Sequence, residues 1–292
     1  MGKLAPTYRL YIDGRGEFEP GLYLYAQQLL SQPLDSPAWQ REAAARNIHT
    51  VIISLDREFG VGLASLNKFC TSTGWRPVYI DPYSAVFETV GAPSFPKGGW
   101  ADEMPGQLNC SQVRFDAAPS GDSFRARADR FNYLLNSAAI YIVLDRNAEA
   151  LNALQSAEAI ESRNAFLHYA KGAVLLQSGQ LSEAEASLKL AVDLGSDDAA
   201  SALARLYDQQ SRYVDEVKVL QLAAARAPQP GWFYLKLGFA ELALNRPNEA
   251  IEAFHNAEHE DPFSGADDAG TGYHAQLAAG RTRAEALLQS HR

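Results

Sequence analysis

From residue 131 onward, apolar residues recur every three or four positions, and the whole motif returns about every 34 residues. The stretch GAVLLQSGQLSEAEASLKLAVDLGS spaces Gly172, Leu175, Gly179, Ala184, Leu188 and Ala191 as a helix, a tight turn and a second helix. YLKLGFAELALNRPNEAIEAFHNAEHEDP repeats the arrangement with Tyr234, Leu237, Gly238, Ala250, Phe254 and Ala257, and Pro262 ends its second helix. An earlier copy uses Ala138, Tyr141, Ala150, Leu154 and Ala157. A third, about two residues short, uses Leu203, Tyr207, Leu220, Ala223 and Pro228, and a final partial copy carries Gly272, Ala284 and Leu288. Gly or Ala where two helices cross lets their backbones approach, while Leu, Tyr and Phe fill the seam. No single pair can bury its own apolar face, so the pattern predicts about four stacked helix pairs and a terminal helix pair over residues 124–292.

The N-terminal pattern has another rhythm. Residues 8–12, YRLYI, read as a strand rich in aromatic and branched residues, closed by the turn pair Asp13-Gly14. PGLYLYAQQLLSQ predicts a helix; Ser36-Pro37 is an N-cap with a first-turn proline, and the Ala-rich run behind it predicts a second helix to Asn47. Residues 49–81 then run strand, loop, helix, strand. VYIDPYSAVFETV places another strand after a Pro-containing turn, an antiparallel hairpin and not the crossover of a parallel sheet. The expectation is a small α/β domain with a mixed sheet over residues 1–92. Residues 93–123, rich in Pro, Gly and Ser and without periodicity, form the linker.

Hydrophobic residues make up 47% and charged residues 21%, as in ordinary globular chains, and no apolar run reaches a membrane span. The net charge of -9 is concentrated after residue 115, and no basic cluster is gathered for nucleic acid, so that partner class is set aside. Cys70 and Cys110 are the only cysteines and lack metal spacing; a disulfide and two buried thiols both remain open.

Three sets of residues invite a chemical reading. Gly60-Val61-Gly62 follows a buried strand and precedes Asp81 by about twenty residues, as in a dinucleotide site. Ser65, however, holds the place of the third glycine, and residues 56–59 loosen the turn that should cradle phosphate. Asp13, Arg15, Glu17 and Glu19 are the densest polar group of the first domain, and a turn with its own ion pairs accounts for them. His255 and His259 lie four apart on one helix but have neither a third ligand nor a neighbouring Glu of the metalloprotease kind. The expectation is no catalytic residue, no metal and no cofactor.

The repeating positions resemble the tetratricopeptide repeat family over residues 131–292. The resemblance implies an all-α solenoid that binds a protein or peptide on the face lined by the first helix of each repeat. By that alignment the groove residues are Leu135, Ala139, Ile142, Phe166, Tyr169, Ala173, Trp232, Leu235 and Phe239, mostly apolar, although aromatic residues at helical spacing are more often core than ligand site. The basic, Asn-rich carboxylate clamp of chaperone-tail binders is missing from the matching positions.

A second resemblance covers residues 8–90. YRLYIDGRGEF, YAQQLL, NIHTVIISLD and TGWRPVYIDPYSAVFET are similar to the soluble carboxy-terminal segment of bacterial polytopic membrane proteins related to lipid-linked-sugar glycosyltransferases. It implies an upstream membrane region and an extracytoplasmic, periplasmic location; without it a cytoplasmic one is expected. The catalytic acids of those proteins lie between membrane spans, so no residue here inherits that role. The expectation is a noncatalytic interaction scaffold, or alternatively the accessory tail of such a membrane protein.

Overall fold

The computed structural model describes residues 28–55, 61–91, 109–115, 118–263 and 272–290. The chain divides into two compact units, residues 1–161 and residues 162–292. The strand and turn expected at residues 8–14, with Asp13, Arg15, Glu17 and Glu19, lie outside the described residues.

In the first unit, helix α1 (Pro37–Arg46) starts as its sequence requires: the Trp39 backbone N–H donates to Ser36 Oγ at 3.2 Å, with proline in the first turn. It stops at Asn47, which takes the left-handed conformation at φ 53° and returns its N–H to the last carbonyls. Strand β1 (Thr50–Ser54), helix α2 (Val61–Thr71), strand β2 (Trp75–Ile80) and strand β3 (Ser84–Thr89) follow.

The sheet order is β1-β3-β2, with both outer strands antiparallel to β3. The β2–β3 hairpin is the expected one. The mixed sheet is not: every strand pair among the described residues is antiparallel, because β3 inserts between β1 and β2 and separates the two strands that run the same way. Pro77 sits on an outer strand, beside a register shift between Pro77 and Tyr79, where a missing N–H is tolerated.

The core of this unit is aromatic. Phe69 meets Trp39 at 5.8 Å, Trp75 at 5.3 Å and Phe87 at 5.1 Å between ring centroids, contacts that each add about 0.5–1.5 kcal/mol beyond area burial. Within the aperiodic stretch, residues 109–115 are packed: Cys110 and Val113 are buried in this core, and Cys110 is disulfide-bonded to Cys70. Helix α3 (Phe124–Val143), capped by Ser123, contributes the fully buried Ile140 to the same cluster. Helix α4 (Asn147–Glu158) pairs with α3.

The second unit holds α5 (Ala165–Gln177), α6 (Leu181–Asp193), α7 (Asp197–Gln209), α8 (Tyr213–Ala224), α9 (Gly231–Ala243), α10 (Pro247–His259) and α11 (Tyr273–Ser290). Each helix packs on its neighbours in sequence, the one-dimensional order of a solenoid. In all four copies, first and second helices are joined by a three-residue turn whose middle residue is left-handed: Asp145, Gly179, Ser211 and Asn245, with φ between 57° and 73°. A turn this short forces the two helices to be antiparallel neighbours. The third copy falls two residues short because the turn between α6 and α7, residues 194–196, is three residues shorter than the turn between α8 and α9, residues 225–230, while α6 is one residue longer than α8.

The crossings are as tight as their small residues imply. A Cβ on Gly172 would meet Leu188 Cδ2 at 2.7 Å, and one on Gly238 would meet the Phe254 ring at 2.4 Å. The terminal helix pair is corrected: α11 is one continuous helix of 18 residues. Gly280 alone does not break it; interior glycine costs only about 1 kcal/mol, and Gly280 lies against the Phe254 ring, where a Cβ would come within 2.4 Å.

Candidate functional site

The residues expected to line a groove do not share one environment. In the first unit, Leu135 is 0% exposed and Ala139 is buried, while Ile142 is partly buried. In the second unit, Phe166, Tyr169 and Ala173 are partly buried on α5, and Tyr169 packs on the cluster built by α6 to α10. Burial, with the charge of Asp198 adding to it, pushes the Tyr169 hydroxyl up from its ordinary value.

On α9, Trp232, Leu235 and Phe239 come together in one cluster with Phe254, Tyr273 and Leu277. Trp232 meets Tyr273 edge-on at 4.9 Å and Phe263 at 6.5 Å, and Phe239 meets Phe254 at 5.2 Å. Leu235 is 0% exposed. Exposure of Leu135 and Leu235 is therefore corrected. Leu235 joins the cluster to which α11 contributes Tyr273, Leu277 and Ala284, and Leu135 is closed inside the first unit. Phe166, Tyr169, Trp232 and Phe239 keep part of their surface.

Tyr273 explains why α11 starts where it does. Its hydroxyl is buried, donates to the Ala257 carbonyl at 2.6 Å and is pushed by burial up to about 12. Beside the end of α9, a hollow of about 530 Å³ is lined by Leu242, Ala243, Asn245, Arg283, Ala286, Leu287 and Ser290.

Of the glycines that suggested a dinucleotide site, Gly60 lies outside the described residues and Gly62 has a packing role. A Cβ on Gly62 would fall 1.7 Å from the Ser54 carbonyl oxygen, so glycine is what lets α2 start against the end of β1. Ser65 is buried and donates to the Leu30 carbonyl. Asp81 Oδ1 accepts from the backbone N–H groups of Tyr83 and Ser84, both at 2.7 Å, which builds the turn of the β2–β3 hairpin. His255 is exposed and His259 Nδ1 lies 3.0 Å from Glu260 Oε1. Among the described residues no cluster of His, Cys, Asp and Glu is arranged for a metal ion, and no helix is long and apolar enough to cross a membrane.

The repeat pattern did not flag the most organised polar group. Glu185 on α6 accepts from Arg212 Nη1 at 2.7 Å, from Arg212 Nη2 at 3.0 Å and from the Tyr207 hydroxyl at 3.0 Å, with Lys189 Nζ at 2.7 Å. Arg212 also binds Asp215 and lies 4.4 Å over the Tyr207 ring. The bidentate guanidinium, followed by Lys189 and Tyr207, holds the Glu185 carboxyl down to about 2, and Arg212 is raised in return. The third residue of each turn is Arg146, Gln180, Arg212 and Arg246, and three residues later stand Glu149, Glu183, Asp215 and Glu249. That recurrence was the available signal. Arg146 repeats the device in the first unit: it pairs with Glu149, lies 4.8 Å over Tyr141 and donates to the Val113 carbonyl.

Two buried carboxylates also escaped the pattern. Glu241 on α9 has Arg246 Nη1 at 3.4 Å, and burial raises its carboxyl despite that cation. Glu216 on α8 is buried, and its Oε2 has no hydrogen-bond partner.

No family model matches the chain, and no curated protein matches it. Solved structures resemble part of it. MamA is 19% identical over 47% of this chain and 81% of its own, with a TM-score of 0.41. YrrB, described as a TPR protein with an unusual peptide-binding site, is 20% identical over 53% of this chain and 81% of its own, with a TM-score of 0.39. PilF of Pseudomonas aeruginosa is 17% identical over 55% of this chain and 74% of its own, with a TM-score of 0.43. The tetratricopeptide-like character of the second unit stands on its own helix pairs, their period and their small-residue crossings.

Proposed function

We propose that the chain is a noncatalytic docking scaffold whose helix pairs bind a protein or peptide. The observation behind this reading is the set of partly buried aromatic residues on first helices, Phe166 and Tyr169 on α5 and Trp232 and Phe239 on α9, which keep accessible surface. Aromatic rings held in place by a core offer contact area with little loss of side-chain freedom on binding. The division into a domain of residues 1–92, a linker of residues 93–123 and an array of residues 124–292 belongs to the same reading. Capture of partners by the full chain, compared with Phe166→Ala/Tyr169→Ala, is the test; the helix content of the variant is checked by circular dichroism. Undiminished capture by a folded variant removes this face from the function.

The disulfide between Cys70 and Cys110 favours a second reading, an extracytoplasmic accessory region of a membrane-embedded glycosyltransferase-like protein, since disulfides persist in oxidising compartments. Thiol labelling of the protein taken from its native cells tests it. Two free thiols there, or an upstream gene segment without apolar spans, would count against this assignment.

A further inference from the structure

Five residues beyond the left-handed turn residue, where the second helix crosses the first, three copies place Ala150, Ala184 and Ala250, each 0% exposed. The third copy places Glu216 there, 6% exposed, with Oε2 unpartnered. A carboxylate thus occupies a position that elsewhere takes a single methyl group. The helix that carries it, α8, packs on α7 and α9. The charged groups that act on Glu216 from those helices are Asp208 on α7 and Lys236 on α9. Of the cations nearest along the chain, Arg212 is engaged with Glu185 and Asp215, and Lys218 pairs with Asp215 at 3.7 Å.

We propose that Glu216 is a proton-sensitive latch in the third copy: protonated, it is a neutral filler of the crossing and keeps α7, α8 and α9 closed, and once its proton passes to water the buried charge loosens α8 from both. Burial, reinforced by Asp208 and only partly offset by Lys236, pushes its carboxyl up to about 7. The folded chain therefore holds this proton more tightly than the unfolded chain does. The resulting stabilisation is complete below the ordinary carboxyl value of 4.5 and is lost as pH rises through about 7. Glu241 differs, because Arg246 stands beside its carboxylate.

The test uses the full chain at pH values from about 5 to 9, reading the thermal midpoint and the amide hydrogen exchange of α8, with exchange corrected for its intrinsic pH dependence. In the wild type the midpoint falls across neutrality and α8 amides open about ten-fold more often at the alkaline end. Glu216→Ala, which installs the residue of the other three copies, and Glu216→Gln flatten both responses; Glu241→Gln leaves the α8 step in place. The latch is overturned if Glu216→Gln keeps the wild-type pH response, or if wild-type α8 exchange shows no step.

Discussion

The two units solve the problem of a core in opposite ways. In residues 28–161 the cluster is assembled from positions far apart in sequence, Trp39, Phe69, Trp75, Phe87 and Cys110, with a covalent bond spanning 40 residues. Among the described residues of 162–292 the clusters are local, each helix resting on its neighbours, and closeness comes from glycine or alanine under Leu188 or Phe254. A long-range core uses bulk and a staple because loop closure must be overcome before contacts form; a local array needs close approach repeated many times.

The contrast can be broken most forcefully at Phe254, whose ring rests on Gly238 and Gly280 at once. Phe254→Ala is expected to cost about 3–5 kcal/mol. In a solenoid that loss stays local: denaturant unfolding followed by hydrogen exchange would show α9 to α11 opening before α5 and α6. Uniform unfolding would refute the local picture. In the first unit, Cys70→Ser with Cys110→Ser removes the staple, expected to cost about 4 kcal/mol on the chain-entropy account. Near-ultraviolet circular dichroism of the Trp39 and Trp75 environment would report it, while the helical signal of the array stays.

A smaller effect sharpens the role of the crossings. Gly172→Ala puts a methyl 2.7 Å from Leu188 Cδ2; the overpacking of about 1–3 kcal/mol exceeds the helix propensity regained, about 1 kcal/mol, so a modest fall in the denaturation midpoint is expected. The smallest effect concerns charge. Because Arg212 depresses the Glu185 carboxyl, its contribution is present above about pH 4.5 and is lost as pH falls toward about 2. Acid titration of Glu185→Gln should show a shallower loss of stability in that window than the wild type, and above it a constant deficit with no difference in pH slope.

What the sequence made legible follows the same division. Local order could be read: Gly172 with Leu188 and Gly238 with Phe254 lie 16 residues apart within one helix pair, and the Ser36-Pro37 helix start and the β2–β3 hairpin rest on shorter spacings still. Long-range order could not. Nothing in a 40-residue interval brings Cys70 to Cys110, and nothing at β3 announces that it inserts between β1 and β2. Of the candidate groove, the alignment placed its residues on the first helices of their pairs but could not foresee that Leu235 would be closed into the cluster that includes Tyr273 and Leu277. Glu216 escaped because it breaks the small-residue pattern by which the third copy would be recognised.

The bond between Cys70 and Cys110 turns the intervening chain, β2 and β3 included, into a closed ring. A protease that nicks anywhere between these two cysteines leaves one covalently linked molecule, heavier only by the water taken up in the cleavage; only a reductant would release the fragments. On a nonreducing gel such a clipped protein would pass for the intact one.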